Sequence, residues 1–588
     1  MGVLILLLLL TSTVACVAQR RHDEPAADMV DPHQREVAIE SNNKKIRVGY
    51  LLHVGQYIHI KEPLLGKSLG VDDQFWLEVV QGEDVAVSHA YETVNVKNLP
   101  KAFFWGDVDG VNYLTETRNQ NVPRKCFGCW AFAVTSSLSD RINIMRKGKS
   151  PQVILSAQAL LNCKWGGNCQ GGNPHKAFEM IKEHGIPDET CQPYVGREEN
   201  CDAQGMCKVC GKGKESSQCE AVEEFPRYRV SEYGWILGGI KTDAERNALS
   251  GPHRIKSEVY KNGPIPCTVR ATDKLRAYKG GIFSELVWNL VPNHVVTIVG
   301  WGAHKGEEVA IGNPLYNLGI ELFCAYGIPD IPEPETTPSP PEAAAQIQVK
   351  DSYDIRNIDG LSYATLMRNQ RIPQNCNSGW AHSAMSVLIN CGTRKDESAC
   401  EGKATPQNAF HRAMKVGVVD DTCSAYEGVQ LKCRRKNVCR ICNSRNCHKV
   451  EKGTYRMFTV EEFGKVSGDS EIMKEIAANG PVACGVCTND GFEQYSSGIL
   501  KSDSTEPCTE PDHYVAVSGF GTEEGLDFWV VRNSYGTYWG EQGWAKIARG
   551  PKIDCGLHRA CYWATPSSIN YDSPYNGKKM QKQHSDVF

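Results

Sequence analysis

The chain has 588 residues, room for two or three domains. An apolar fraction of 41% and a charged fraction of 23% are ordinary for a globular protein and exclude a low-complexity or collagen-like one. A net charge of -4 and a pI of about 6.5 give no basic surface of the kind that nucleic acid or an anionic membrane attracts.

In chain order, the first element is an apolar run from Val3 to Leu10, followed by small residues up to Ala18. It is too short to span a bilayer and reads as a secretory signal peptide over residues 1–18. A secreted or lysosomal protein is therefore expected. No later stretch is long and apolar enough for a membrane span. Residues 19–98 are cysteine-free, with a strand-like patch at Ile46 to Ile60, and read as a propeptide-like region. In an oxidising compartment most of the 25 cysteines should be disulfides. Eleven lie from Cys126 to Cys324 and thirteen from Cys376 to Cys561, so each set leaves at least one unpaired within itself.

Two long segments repeat each other. "VDGVNY…TRNQNVPRKC" from Val108 matches "IDGLSY…MRNQRIPQNC" from Ile358. "HGIPDETC" (His184–Cys191) answers "VGVVDDTC" (Val416–Cys423), and "NHVVTIVGWG" (Asn293–Gly302) answers "DHYVAVSGFG" (Asp512–Gly521). The period is far longer than a solenoid's, so these are duplicated domains. Residues 99–327 and 349–567 are assigned to them, with a proline-rich linker over 328–348 and a polar tail over 568–588. In repeat 1, Trp130, Val134, Leu138 and Ile142 recur every four residues, one face of an amphipathic helix that begins at Cys129. "VVTIVGW" and "DFWVVRN" alternate as buried strands do. Helix in front and strand behind give an α+β class.

A cysteine at a helix N-terminus with a histidine far downstream suggests nucleophilic catalysis. The thiolate is the reactive form, and the helix dipole and an imidazolium both favour it. The run Gln120…Cys126-Phe127-Gly128-Cys129-Trp130, with Asn293-His294 downstream, resembles the papain family of cysteine peptidases. "RNQNVP", "DRINIMRKG" and "HGIPDETC" are similar to its cathepsin X (cathepsin Z) branch. The resemblance implies two papain-like domains, each a helical half and a β-barrel half with a cleft between. It implies Cys129 as nucleophile, His294 as general base and acid, Gln120 as oxyanion donor and Gly171-Gly172 along the substrate backbone. It also implies disulfides Cys126–Cys169, Cys163–Cys201, Cys191–Cys207, Cys210–Cys219 and Cys267–Cys324, which leave Cys129 over.

Both repeats depart from the pattern. In repeat 1, Phe127 brings a ring close to the cleft, and Asn121 stands where the branch has the histidine that holds a substrate carboxylate. Asn313, 19 residues after His294, is the candidate for orienting the imidazole, but only 11 residues separate it from Cys324. A turn and a strand are missing there. Repeat 2 keeps Gln370, His513 and Asn533, but Gly379 occupies the nucleophile position. Cys376 is expected in a disulfide with Cys400, the helix after Trp380 is cut short, and Arg371 carries a charge that could bind a carboxylate. The run from Cys433 to Cys447 contains Cys-x-x-Cys, yet disulfides are the better reading than zinc in such a compartment. No metal, cofactor or nucleic-acid partner is expected. The expected partners are peptide or protein substrates, with catalysis in repeat 1 and a pseudoenzyme in repeat 2. The rival reading is a peptide- or protein-binding pseudopeptidase throughout.

Overall fold

The computed structural model describes most of residues 88–330 and 352–570, apart from short internal stretches and the longer ones 237–251, 309–323, 385–399 and 430–437. The expected signal peptide, most of residues 19–98, and Asn313 lie outside the described residues.

Repeat 1 is built around helix α1 (Cys129–Met145). The four-residue spacing predicts one buried face, but the helix is buried on all sides from Cys129 to Asn143. Its buried polar side chains, Asn143 apart, have built-in partners. Arg141 pairs with Glu258 at 2.8 Å, Asp140 accepts from Thr115, and Ser139 donates to the Thr135 carbonyl. Burial of polar groups is tolerated only when such partners exist. Helix α2 (Ala157–Asn162) starts at Ser156, whose hydroxyl accepts from the Ala159 amide at 3.0 Å. Helix α3 (Pro174–His184) has Asn173 as cap, proline in its first turn and Gly185 at φ 71° after its end. Together with β1 (Arg229–Trp235) these helices enclose the largest core of repeat 1.

The β half of repeat 1 is small. Helix α4 (Pro252–Asn262) leads to β2 (Ile265–Val269), which pairs antiparallel with β3 (His294–Ile298). Strand β4 (Ala325–Asp330) returns to pair with β1. Ile328, Pro329 and Asp330, expected in the linker, are thus the end of a paired strand. The prolines that suggested a spacer start inside the sheet edge, where a missing N–H is tolerated.

Repeat 2 reverses the balance. The described part of its counterpart to α1 is only α5 (Gly379–Ala384), followed by α6 (Pro406–Val416) with a Thr405 capping box. Its β half is an eight-stranded sheet. Strand β5 (Met457–Val466) is followed by α7 (Asp469–Asn479), β6 (Val482–Val486), β7 (Ile499–Leu500) and β8 (His513–Glu523). Then come β9 (Leu526–Arg532), β10 (Trp544–Ala548) and β11 (Cys561–Asn570). The order is β5-β11-β6-β8-β9-β10-β7, with Tyr353–Asp354 pairing on β8. Strand β11 runs three residues past the expected domain end at 567, because Asn570 pairs with Met457. The expected β-barrel half is an open sheet among the described residues.

All six disulfides expected by residue are present: Cys126–Cys169, Cys163–Cys201, Cys191–Cys207, Cys210–Cys219, Cys267–Cys324 and Cys376–Cys400. In the cysteine-rich run, Cys439 pairs with Cys423 and Cys442 with Cys447. Cys484 closes on Cys561 and Cys487 on Cys508, and Cys555 is buried. No described helix is long and apolar enough to cross a membrane.

Candidate active site

The site is most completely drawn in repeat 2. Gly379 opens α5, and His513 opens β8, opposite Val486. The His513 Nε2 lies 2.8 Å from Asn533 Oδ1, so Nε2 carries the proton and donates it. That leaves Nδ1 toward α5. A Cβ built on Gly379 would lie 2.6 Å from Nδ1, 2.5 Å from Cε1 and 3.1 Å from Gln370 Oε1. Nucleophile position, imidazole, orienting amide and glutamine therefore converge, with no side chain in the nucleophile's place. Tyr535 stacks on the His513 ring at 4.9 Å. Burial pushes the His513 pKa down to about 4, only partly offset by the Asn533 bond, so the ring is neutral at pH 5 to 7. Arg371, expected to be open to a carboxylate, is instead ion-paired with Glu493 and lies 3.7 Å over the Tyr535 ring.

Repeat 1 presents the same scaffold with the cysteine in place. Cys129 is the first residue of α1, and Gly128 before it supplies no side-chain cap. The positive helix end is thus left beside the sulfur. His294 is the first residue of β3, opposite Val269, as His513 is of β8. Helix α1 packs on β3, with Thr297 donating to the Ala133 carbonyl at 3.4 Å. Gln120 and Asn121 are buried beside this junction. Gly171 and Gly172 pair with Asn168 and Gly167 in a small hairpin. A Cβ on Gly172 would come within 2.5 Å of the Trp130 ring, so only glycine lets that backbone close on α1. Phe127 is partly buried against the helical core, with Lys125 over its ring at 4.7 Å.

Cys129 is buried at the start of α1.

Two tyrosines escaped the sequence reading. Tyr194 donates to the Gln120 carbonyl at 2.6 Å, and Tyr426 to the Gln370 carbonyl at 2.8 Å. They stand at matched places, in "CQPYVG" and "CSAYEG", and that match was the available signal.

Comparisons with known proteins identify the family. The family profile described as "Papain family cysteine protease" matches residues 99–313 and 386–565. Cathepsin Z of Onchocerca volvulus is 38% identical over 218 residues, covering 37% of this chain and 65% of the relative. Cathepsin L of Sarcophaga peregrina is 33% identical over 30% of this chain and 49% of its own length. Among solved structures, digestive procathepsin L 3 of Tenebrio molitor larval midgut aligns with a TM-score of 0.31 and 21% identity, over 38% of this chain and 72% of that one.

Proposed function

Because the chain belongs to the papain family of cysteine proteases, we propose that repeat 1 is a peptidase that works through Cys129 and His294. The observation that carries this reading is the repeat 2 site. There the position homologous to Cys129 faces the His513 imidazole and Gln370, the groups that nucleophilic catalysis uses. In repeat 1 the Cys129 thiolate attacks the peptide carbonyl carbon, and the carbonyl oxygen becomes the oxyanion. Gln120 donates a hydrogen bond to it. His294 gives its proton to the departing amine, then takes one from the water that hydrolyses the thioester. Asn313 would orient the imidazole. Asn121 offers a hydrogen bond but no charge to a substrate C-terminus, so any carboxypeptidase preference would be weaker than a histidine there would give.

Repeat 2 is assigned no hydrolysis, since glycine supplies no nucleophile. The cleavable-signal reading and the many disulfides support a secreted or lysosomal setting. The alternative, a peptide-binding pseudopeptidase, is favoured by one observation, the glycine at the nucleophile position of repeat 2, Gly379.

The test is covalent labelling with an epoxide probe of papain-type cysteines at about pH 5, where such a thiolate-imidazolium pair is charged. We expect label on Cys129, lost in His294→Ala. Peptide turnover should vanish in Cys129→Ser. A folded, reduced protein that takes no label supports the pseudopeptidase instead.

A further inference from the structure

The two repeats contact each other through reciprocal bonds. Asn119 of repeat 1 donates its side-chain N–H to the Thr422 carbonyl of repeat 2 at 2.9 Å. Asn369, its counterpart in repeat 2, donates to the Thr190 carbonyl of repeat 1 at 2.8 Å. The Pro123 carbonyl sits 3.1 Å from Cys442 Sγ, and the Pro373 carbonyl 3.4 Å from Cys210 Sγ. Each repeat thus lays its disulfide-closed hairpin on the other's proline loop. Equivalent residues meet equivalent residues in exchanged roles, the signature of an isologous interface.

The asparagines do more than join surfaces. Asn119 Oδ1 accepts the Asn121 amide at 2.9 Å, and Asn369 Oδ1 accepts the Arg371 amide at 2.9 Å. One end of each side chain therefore shapes the turn that carries Gln120 or Gln370. The other end is held by the opposite repeat.

The symmetry is broken in one direction. Thr537 of repeat 2 donates to the buried Asp188 carboxylate of repeat 1 at 2.5 Å, and its amide donates to Thr190 Oγ1 at 2.9 Å. Arg368 of repeat 2 pairs with Glu116 of repeat 1 at 2.9 Å as well as with its own Asp421 at 2.8 Å. Thr537 lies just after Asn533, within the segment that repeat 1 lacks in sequence. This gives repeat 2 a reason to keep that segment without a nucleophile to serve.

We propose that repeat 2 is a built-in partner subunit: its Thr422 carbonyl and its Cys442–Cys447 hairpin brace the Asn119–Cys126 loop of repeat 1, making Asn119 a positioning residue for Gln120, while its Arg368 and Thr537 brace Glu116 and the Asp188–Thr190 turn beside that loop. The catalytic half of this statement rests on the peptidase reading above; the bracing does not.

The experiment is hydrogen exchange on the full chain, followed by kinetics on the reduced protein. Thr537→Val and Arg368→Met change only repeat 2. Asn119→Asp keeps the acceptor for the Asn121 amide but removes the donor to Thr422. Asn119→Asp should speed exchange across residues 119–126 by about tenfold, Thr537→Val across residues 188–192 and Arg368→Met across residues 115–118, with exchange in α1 unchanged. Thr537→Ser should behave as wild type, because it keeps the hydroxyl. In reduced Asn119→Asp kcat should fall with KM held within about twofold. Wild-type exchange across residues 119–126 in Asn119→Asp overturns the proposal. A wild-type protein without turnover removes the peptidase reading, while the exchange result still decides the bracing. If Arg368→Met fails to fold, Asn119→Asp and Thr537→Val decide it.

Discussion

Gly379 shows how much one residue can remove. The Cβ that a nucleophile would need lies 2.5 Å from His513 Cε1, closer than real contacts allow. The imidazole occupies the space of the missing side chain while it keeps its 2.8 Å bond to Asn533. A Gly379→Cys change should therefore restore no chemistry. The ring would have to leave Asn533, and overpacking of this kind costs about 1–3 kcal/mol. In a Cys129→Ser background we expect a lower denaturation midpoint and no epoxide label at position 379. Labelling there at the rate of Cys129 would show that the relict site is only one side chain from activity. The meeting of Gly379, His513, Gln370 and Asn533 was legible in sequence, because a repeat displays its own missing residue. Asn119 and Asn369 were not legible as positioning residues. An asparagine in a turn looks the same whether its amide meets water or another domain.

Helix α1 carries the next lesson. Its sequence period marked Trp130, Val134, Leu138 and Ile142 as buried, but Thr135, Ser136, Asp140 and Arg141 are buried too. Periodicity sees only apolar residues, and the partners that make polar burial possible come from Thr115 and Glu258, far away in sequence. Asp140 is where this has a pH consequence. Burial pushes its pKa up from 3.8 to about 7, against two hydrogen bonds from Thr115 and the nearby Arg118 charge. A carboxyl whose folded pKa is raised favours folding below its ordinary value and loses that contribution as pH rises through 7. The neutral analogue Asp140→Asn should escape the loss. Its unfolding free energy relative to wild type should improve between pH 4 and pH 7.5, by at most about 1.4 kcal/mol per unit. Buried histidines such as His513 titrate in the opposite sense, but they cancel in this difference. A difference that is flat with pH in urea titrations would mean Asp140 is charged throughout.

At the scale of the molecule, each repeat is strong where the other is weak. Among the described residues, repeat 1 has a full helical core around α1 and a two-stranded β2–β3 sheet. Among the described residues, repeat 2 has a small helical cluster at Trp380, Ala381, Ala404 and Ala409, and an eight-stranded sheet over a large core. Strand β3 and strand β8 are homologous in sequence, yet β8 is flanked by β6 and β9 while β3 pairs with β2 alone among the described residues. Protection from exchange follows such pairing and burial. Amides of β8 should exchange at least about tenfold more slowly than those of β3, and α1 amides more slowly than α5 amides. Equal rates in β3 and β8 would mean that repeat 1 completes its sheet by some other route.

The sequence by itself determined the duplication, the family, six of the disulfide pairs and the glycine that repeat 2 has where repeat 1 has Cys129. These are properties of residue identity and spacing, and a repeat makes them self-checking. The tertiary structure alone decided that α1 is buried all round and that Arg371 is committed to Glu493. It alone showed the two repeats clasped through Asn119 and Asn369. Each of these depends on groups brought together from distant parts of the chain. Local patterning carries no trace of them, because a hydrogen bond or ion pair across 300 residues leaves the period of either segment unchanged.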